Sequence, residues 1–236
     1  MKILYIYPHP DDESYGPAHL MSKQRKDGHE VYLLTLTKGG ATKQRHKYGK
    51  TIEEMGDIRY KEMLNVSKTL NLSGMTVTDL PDSGLKEMDP REIEKVVKNE
   101  IEKVKPDVIV TYPVHGISGF HDHLICHGIV KRVYAEMKEK SDYLKRLAFY
   151  TITEDIAQKQ KMFHISSSTN EEIDCIAEVT DEDIDTNKKA LDCYVTFTDT
   201  IVKSNIKNMI TKEVHFEIFQ ENFEPKLKDL FEQLGK

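Results

Sequence analysis

The stretch KILYIYPHPDDESYGP, residues 2–17, decides how the chain must be read. Residues 2–8 are apolar or aromatic at almost every position, the mark of a strand buried on both faces of a sheet rather than on one. The run ends at Pro8, and His9, Asp11, Asp12 and Glu13 follow at once. Gly16-Pro17 then opens a helix to about Lys26, with proline at a tolerated first-turn position. A buried strand that feeds a helix in this way begins a βαβ unit.

Working outward, the same alternation continues. EVYLLTLT (30–37), MTVTDL (75–80), PDVIVTYP (106–113) and RLAFYTIT (146–153) read as further strands. Between them, apolar residues recur at helical spacing from about Glu53 to Leu70, from Asp89 with Pro90 as first residue, and through HDHLICHGIVKRVYAEMKEK. The fold class expected is α/β: a Rossmann-like, doubly wound, mostly parallel sheet with helices on both faces. Beyond residue 153 the pattern loosens into a C-terminal α/β elaboration. EIDCIAEV (172–179) and EVHFEIFQ (213–220) are strands there, the segment from about 181 to 210 is mostly helical, and a short final helix follows. Repeats and linkers are lacking, so residues 1–236 are expected to form one domain, with 1–153 as core and 154–236 as elaboration.

Composition narrows the function. With 34 basic and 40 acidic residues the net charge is -6, which argues against nucleic acid as partner. The longest apolar runs are far too short to cross a bilayer, and the N-terminus lacks the apolar region of a signal peptide, so neither membrane nor export is expected and the cytoplasm is. Cys126, Cys175 and Cys193 are widely spaced and read as reduced thiols rather than a disulfide framework or a zinc ribbon. The basic cluster KQRHKYGK (43–50) reads first as a solvated loop, second as a wall receiving a polar or anionic substrate.

In an open parallel sheet, ligands gather beyond the carboxyl ends of the strands at the switch point. PHPDDES after the first strand and YPVHGISGFHDHLICH (112–127) after the fourth would meet there. They supply His9, Asp11, Asp12, Glu13, His115, His121, Asp122, His123 and His127. Imidazole with carboxylate suits a borderline divalent ion such as zinc, whose charge would also offset clustered acids. Helix capping by Asp12, Glu13 and Ser14 accounts for one or two acids but not for His9 or the second histidine cluster. His123 and His127, four apart on a helix, have the spacing that turns two imidazoles to one face, so His127 is an alternative ligand or a residue supporting the ligands. The histidines at 19, 29, 46, 164 and 215 read as surface or capping residues.

PHPDDE resembles the AHPDDE signature of the PIG-L/LmbE-like zinc-dependent N-acetylglucosaminyl deacetylases, and GISGFHDH is similar to their later G-HPDH signature. RYKEMLNVSKTLNL (59–72), LPDSGL (80–85), KKALDCY (188–194) and EVHFEIF extend the resemblance along most of the chain. It implies a Rossmann-like hydrolase that removes an acetyl group from a small N-acetylated amino sugar of N-acetylglucosamine type, or its conjugate. Its implied cofactor is Zn2+, with Fe2+ and Co2+ as alternatives, and it permits a homo-oligomer. By the same resemblance His9, Asp12 and His123 are metal ligands, Asp11 is the general base, and Arg59 contacts the substrate or a carboxylate. Glu13 and Asp122 stand behind them. The family's oxyanion-stabilising histidine falls on Phe120 here, and His121 is expected to take that role, with His115 and His127 as the other candidates.

Competing readings make different demands. The same chemistry on another N-acyl or thiol-sugar conjugate would depend on pocket length, set by residues 38–52 and 160–172. A phosphoacceptor magnesium site would need a lysine closing the fifth strand, and AFYTIT has none. A metal-binding homologue without catalysis would keep the ion and lose turnover.

Overall fold

The computed structural model of the chain describes residues 1–234. At its centre is β1 (Lys2–Tyr7), buried at every residue after Lys2. Side-chain alternation sends Ile3, Tyr5 and Tyr7 into one apolar cluster and Leu4 and Ile6 into another, one on each face of the sheet. Each such side chain contributes ~1.5–3 kcal/mol when fully buried, so a strand this apolar is stable only between two layers of helices.

In chain order the elements are β1, α1 (Asp12–Tyr15), α2 (Ala18–Lys26), β2 (Glu30–Thr37), α3 (Gln44–Lys47), α4 (Ile52–Thr69), β3 (Gly74–Leu80), α5 (Pro90–Val104), β4 (Val108–Thr111) and α6 (His121–Lys138). The chain continues with β5 (Arg146–Thr151), α7 (Glu154–Lys159), β6 (Cys175–Glu178), α8 (Asp181–Asp192), α9 (Thr198–Ser204) and β7 (Glu213–Ile218). The seven strands form one sheet in the order β3-β2-β1-β4-β5-β7-β6. The first five are parallel, while β7 runs antiparallel to both β5 and β6. Helices α2, α4 and α8 contribute to the apolar layer on one face, and α5 and α6 to that on the other.

Local chemistry marks the boundaries. Thr51 and Glu54 form a reciprocal capping box at the start of α4, and Thr180 and Asp183 form another at α8. Asp89 caps α5, with Pro90 in its first turn. The expected final helix is not found among the described residues after β7. Its backbone groups are engaged elsewhere: Leu227 exchanges hydrogen bonds with Asp174 and Ile176, and the fully buried Arg146 donates to the carbonyls of Leu230 and Glu232. No described helix is long and apolar enough to cross a membrane.

One topological fact positions the site. The chain steps outward from β1 to β3, then crosses to β4 on the other side of β1. The segments that follow β1 and β4 therefore diverge at the switch point and leave a crevice between them.

Candidate active site

Within this crevice the two segments do meet. The histidine and acid pairs of the first turn face α6: His9 Nδ1 lies 3.6 Å from Asp12 Oδ2, and His123 Nε2 lies 3.4 Å from Asp12 Oδ1. Donors around a tetrahedral ion at ~2.0–2.2 Å stand about 3.3–3.6 Å apart. Each histidine has that spacing from one oxygen of Asp12, and one ligand atom from each of the three residues lies within 4.8 Å of the others, a group that could hold a metal ion. The other nitrogen of each imidazole is committed. His9 Nε2 is 3.0 Å from Asp122 Oδ2, and His123 Nδ1 is 2.9 Å from the carbonyl of Gly116. Donating those N–H groups leaves His9 Nδ1 and His123 Nε2 with lone pairs turned toward Asp12, the arrangement typical of ligating histidines. His9, Asp82 and Asp122 also lie within ligand distance of one another. In that grouping, however, His9 offers the nitrogen already directed at Asp122.

The carboxylates are held differently. Burial acts to raise the Asp12 carboxyl, but when both imidazoles carry their second proton the charge and hydrogen bond of His123, aided by His9, outweigh it and hold Asp12 below the usual carboxylate range; giving up that proton frees the two lone pairs. Its Oδ2 accepts the backbone N–H of His9 at 2.9 Å and its Oδ1 the hydroxyl of Tyr112 at 2.8 Å. Asp11, the next residue back, sits at φ 81, a left-handed conformation that aspartate tolerates better than most residues. That turn sends its carboxylate away from the triad to Arg59, whose Nη2 donates to Oδ2 at 2.9 Å. Burial lifts the Asp11 carboxyl well above its ordinary value, Arg59 opposes the shift, and Asp12 adds to it.

Arg59 is itself buried and anchored. It donates to the carbonyls of Pro10 and Gly39, and its guanidinium lies 4.2 Å from the centre of the Phe197 ring. Of the two contacts expected for it, a substrate or a carboxylate, it makes the carboxylate contact with Asp11 while also lining the cavity. Glycine is required twice around this frame. A Cβ at Gly39 would lie 2.2 Å from Arg59 Nη1, and one at Gly116 would lie 2.9 Å from His123 Cβ; both residues have positive φ.

The remaining expected residues are distributed less evenly. Asp122 is buried and braces the site, accepting from His9 and from the backbone N–H of Ser83 and Leu85. Glu13 is fully buried behind the turn, where Ser14 and Tyr194 donate to its Oε1. His127 lies one turn deeper on α6, donates Nδ1–H to the Tyr112 carbonyl and faces a second, smaller cavity beside Phe149. His121 is exposed at the start of α6, and His115 is 3.3 Å from Ser168 Oγ. None of the histidines 115, 121 and 127 lines the main cavity, where Phe120 instead sets its ring edge-on to His123.

Sequence reasoning passed over four participants. Tyr112 stacks on His123 with ring centres 4.3 Å apart besides binding Asp12, and its place at the carboxyl end of β4 was the available signal. Asp82, in the PDSG turn after β3, is 3.4 Å from His9 and accepts the N–H of Ala41. His19 and His215, expected as surface or capping residues, are buried and line the cavity. Their partners, Asn187 and Glu213, come from the C-terminal half.

The cavity over the triad has a volume of about 580 Å³, within the ~300–1,000 Å³ range that buries small organic ligands. Thr42 and Lys43, from the loop after β2, and Gln44, at the start of α3, also line it.

Comparison with known proteins agrees with this geometry. The "Probable N-acetyl-alpha-D-glucosaminyl L-malate deacetylase 2" of Bacillus subtilis (strain 168) is 31% identical over 140 residues, 58% of this chain and 62% of that protein. The chain spans only about half the length of the next two curated relatives. Among solved structures, a deacetylase triple mutant from the teicoplanin biosynthetic pathway superposes with a TM-score of 0.74 at 14% identity, over 94% of this chain and 99% of that one. A 4-carboxy-2-hydroxymuconate hydratase from Pseudomonas putida KT2440 gives 0.65 at 11% identity with the same coverage, so the shared fold alone does not fix the reaction. The sequence pattern described as "PIG-L: GlcNAc-PI de-N-acetylase" matches residues 4–134, from β1 to α6 and thus through both halves of the triad. More than half of the chain lies inside that match, and the chain belongs to the PIG-L family.

Proposed function

We propose that the protein is a metal-dependent hydrolase that removes the acetyl group from a small N-acetylated amino sugar of N-acetylglucosamine type or its conjugate. The observation that carries this reading is the division of labour between adjacent acids: Asp12 faces His9 and His123, while Asp11 faces Arg59 and the cavity. His9, Asp12 and His123 would hold a divalent ion, and their two imidazoles and one carboxylate suit zinc, with ferrous and cobalt ions accepted by the same donors. Such an ion supplies Lewis acidity to an amide carbonyl and brings the pKa of water toward ~7.

The rest is the work of the chain itself. Asp11 takes the proton of the attacking water at its carboxylate and returns it to the departing amine, a role that suits a carboxyl raised by burial. Arg59 orients that carboxylate through a single hydrogen bond, and its own three-way anchoring keeps it from following the substrate. Asp122 and the Gly116 carbonyl fix the two imidazoles, and Tyr112 fixes Asp12. The cytoplasm is the compartment in keeping with its free cysteines.

The test is acetate release from N-acetylglucosaminides by wild type and Asp11→Asn. The substitution is expected to lower kcat by about 10²–10⁴-fold while the bound metal is retained. Equal turnover by both forms, or a wild type that binds metal and releases no acetate from any amino sugar, would overturn the reading.

A further inference from the structure

The cavity over the triad is chemically divided. The triad side carries His9, Asp11, Asp12, Arg59 and His123, whereas the 156–163 and 206–210 segments line the cavity with apolar side chains and the single polar Gln160. Ile156 of α7, with Met162 and Phe163 just beyond it, and Ile206, Met209 and Ile210, after α9, supply this apolar lining, and Gln160 ties the two segments together by donating to the carbonyl of Ser204 and to Met209 Sδ. Met162 and Phe163 are 45% and 36% exposed although both face the cavity, so the wall keeps apolar surface in solvent. All six residues lie beyond residue 134, outside the segment that matches the family pattern.

Positive charge is scarce by contrast. Among the described residues lining the cavity, the lysines and arginines are Lys43 and Arg59. Arg59 is engaged by Asp11 and two carbonyls. The neighbouring cations of the basic cluster turn elsewhere, Lys47 to Asp199 and Arg45 to the carbonyls of Ala41 and Thr42. A ligand with two carboxylates would give up water and find Lys43 alone, an unfavourable exchange. An alkyl or aryl group would gain from the same wall.

We propose that the substrate of this chain carries an uncharged apolar group next to its amide-bearing sugar, seated against the 156–163 and 206–210 segments, and that dicarboxylic conjugates are excluded. The inference rests on the N-deacetylase reading for the identity of the bond that breaks, but the apolar site stands on its own lining. Two attachments present such a group to this wall, through the sugar's anomeric oxygen or through the acyl carbon, and binding separates them.

Binding is measured by calorimetry for methyl glucosaminide, hexyl glucosaminide, N-hexanoylglucosamine and glucosaminyl malate. Each seated methylene raises affinity about three- to fourfold. One of the two six-carbon ligands is therefore expected to bind about 10²–10³-fold more tightly than methyl glucosaminide, with a negative heat-capacity change, and the one that does so identifies the attachment. Met162→Asp, at an exposed position that does not disturb the core, and Ile210→Asp should each reduce that preference at least tenfold. Equal affinity for methyl and both six-carbon ligands, or tightest binding of glucosaminyl malate, overturns the proposal. Acetate release from the N-acetyl forms of the glucosaminides, followed in parallel, separates the two readings. Graded binding without acetate release overturns the deacetylase reading and supports the apolar site; equal acetate release from methyl and hexyl forms, with ungraded binding of every ligand, does the reverse.

Discussion

Asp12 is constrained through both of its oxygens before any ligand arrives. The backbone of His9 donates to one and Tyr112 to the other, so the carboxylate meets His9 and His123 in a single orientation. Tyr112 adds a second constraint by stacking on His123. Removing its hydroxyl would free Asp12 to rotate without creating a cavity. Tyr112→Phe is therefore expected to weaken zinc affinity by about 10–100-fold, as measured by competition with a chromophoric chelator. Unchanged affinity would mean that the hydroxyl does not orient the ligand. This contact was hidden in the sequence because Asp12 and Tyr112 are joined only by the pairing of β1 with β4. The acids of PHPDDE, by contrast, were legible from local chemistry: four polar residues at the tip of a strand buried on both faces have few other uses.

At the scale of elements, the turn after β1 is held from behind by α8. Asn187 of α8 accepts from His19 Nδ1 at 2.8 Å and donates to the carbonyl of Ser14 at 2.7 Å, which ties α1 and α2 to the C-terminal half. Tyr194, just past α8, donates to Glu13 in the same region. Burial pushes the His19 imidazole down to about 4, with the Asn187 hydrogen bond only partly opposing it. The unfolded chain, with a histidine near 6.5, takes up the proton first on acidification. This contribution to stability is thus complete above pH 6.5 and is lost as the pH falls toward 4, amounting to about 3 kcal/mol in all. Urea denaturation of wild type and His19→Gln at pH 7 and pH 4.5 isolates it. The stability difference between the two proteins should shift by about 2–3 kcal/mol in favour of the variant at the lower pH; a constant difference would contradict the assignment. His19 reads as a surface or capping residue because its partner lies on α8, and a lone histidine on a short helix carries no trace of it.

For the whole molecule, what could be read in advance followed from periodicity and topology. Continuous apolar runs marked β1, β2, β4 and β5, and the placement of β1 beside β4 let two distant loops be assigned to one crevice. What could not be read lies in irregular segments. Among the described residues the stretch after β7 forms no helix because Arg146, Asp174 and Ile176 take its backbone groups, and the apolar lining at 156–163 and 206–210 has no period to announce it. The i,i+4 spacing of His123 and His127 was also ambiguous until the depth of α6 beneath the crevice was known: only its first turn reaches the triad. Everything proposed for the molecule requires that His9 and Asp12 from one half of the sheet and His123 from the other form a single ion site. Zinc titration calorimetry on wild type, His123→Ala and His127→Ala tests it most directly. The account predicts a one-to-one site in wild type and His127→Ala and its loss in His123→Ala; retention of the site in His123→Ala, or its loss in His127→Ala with the fold intact, would contradict it.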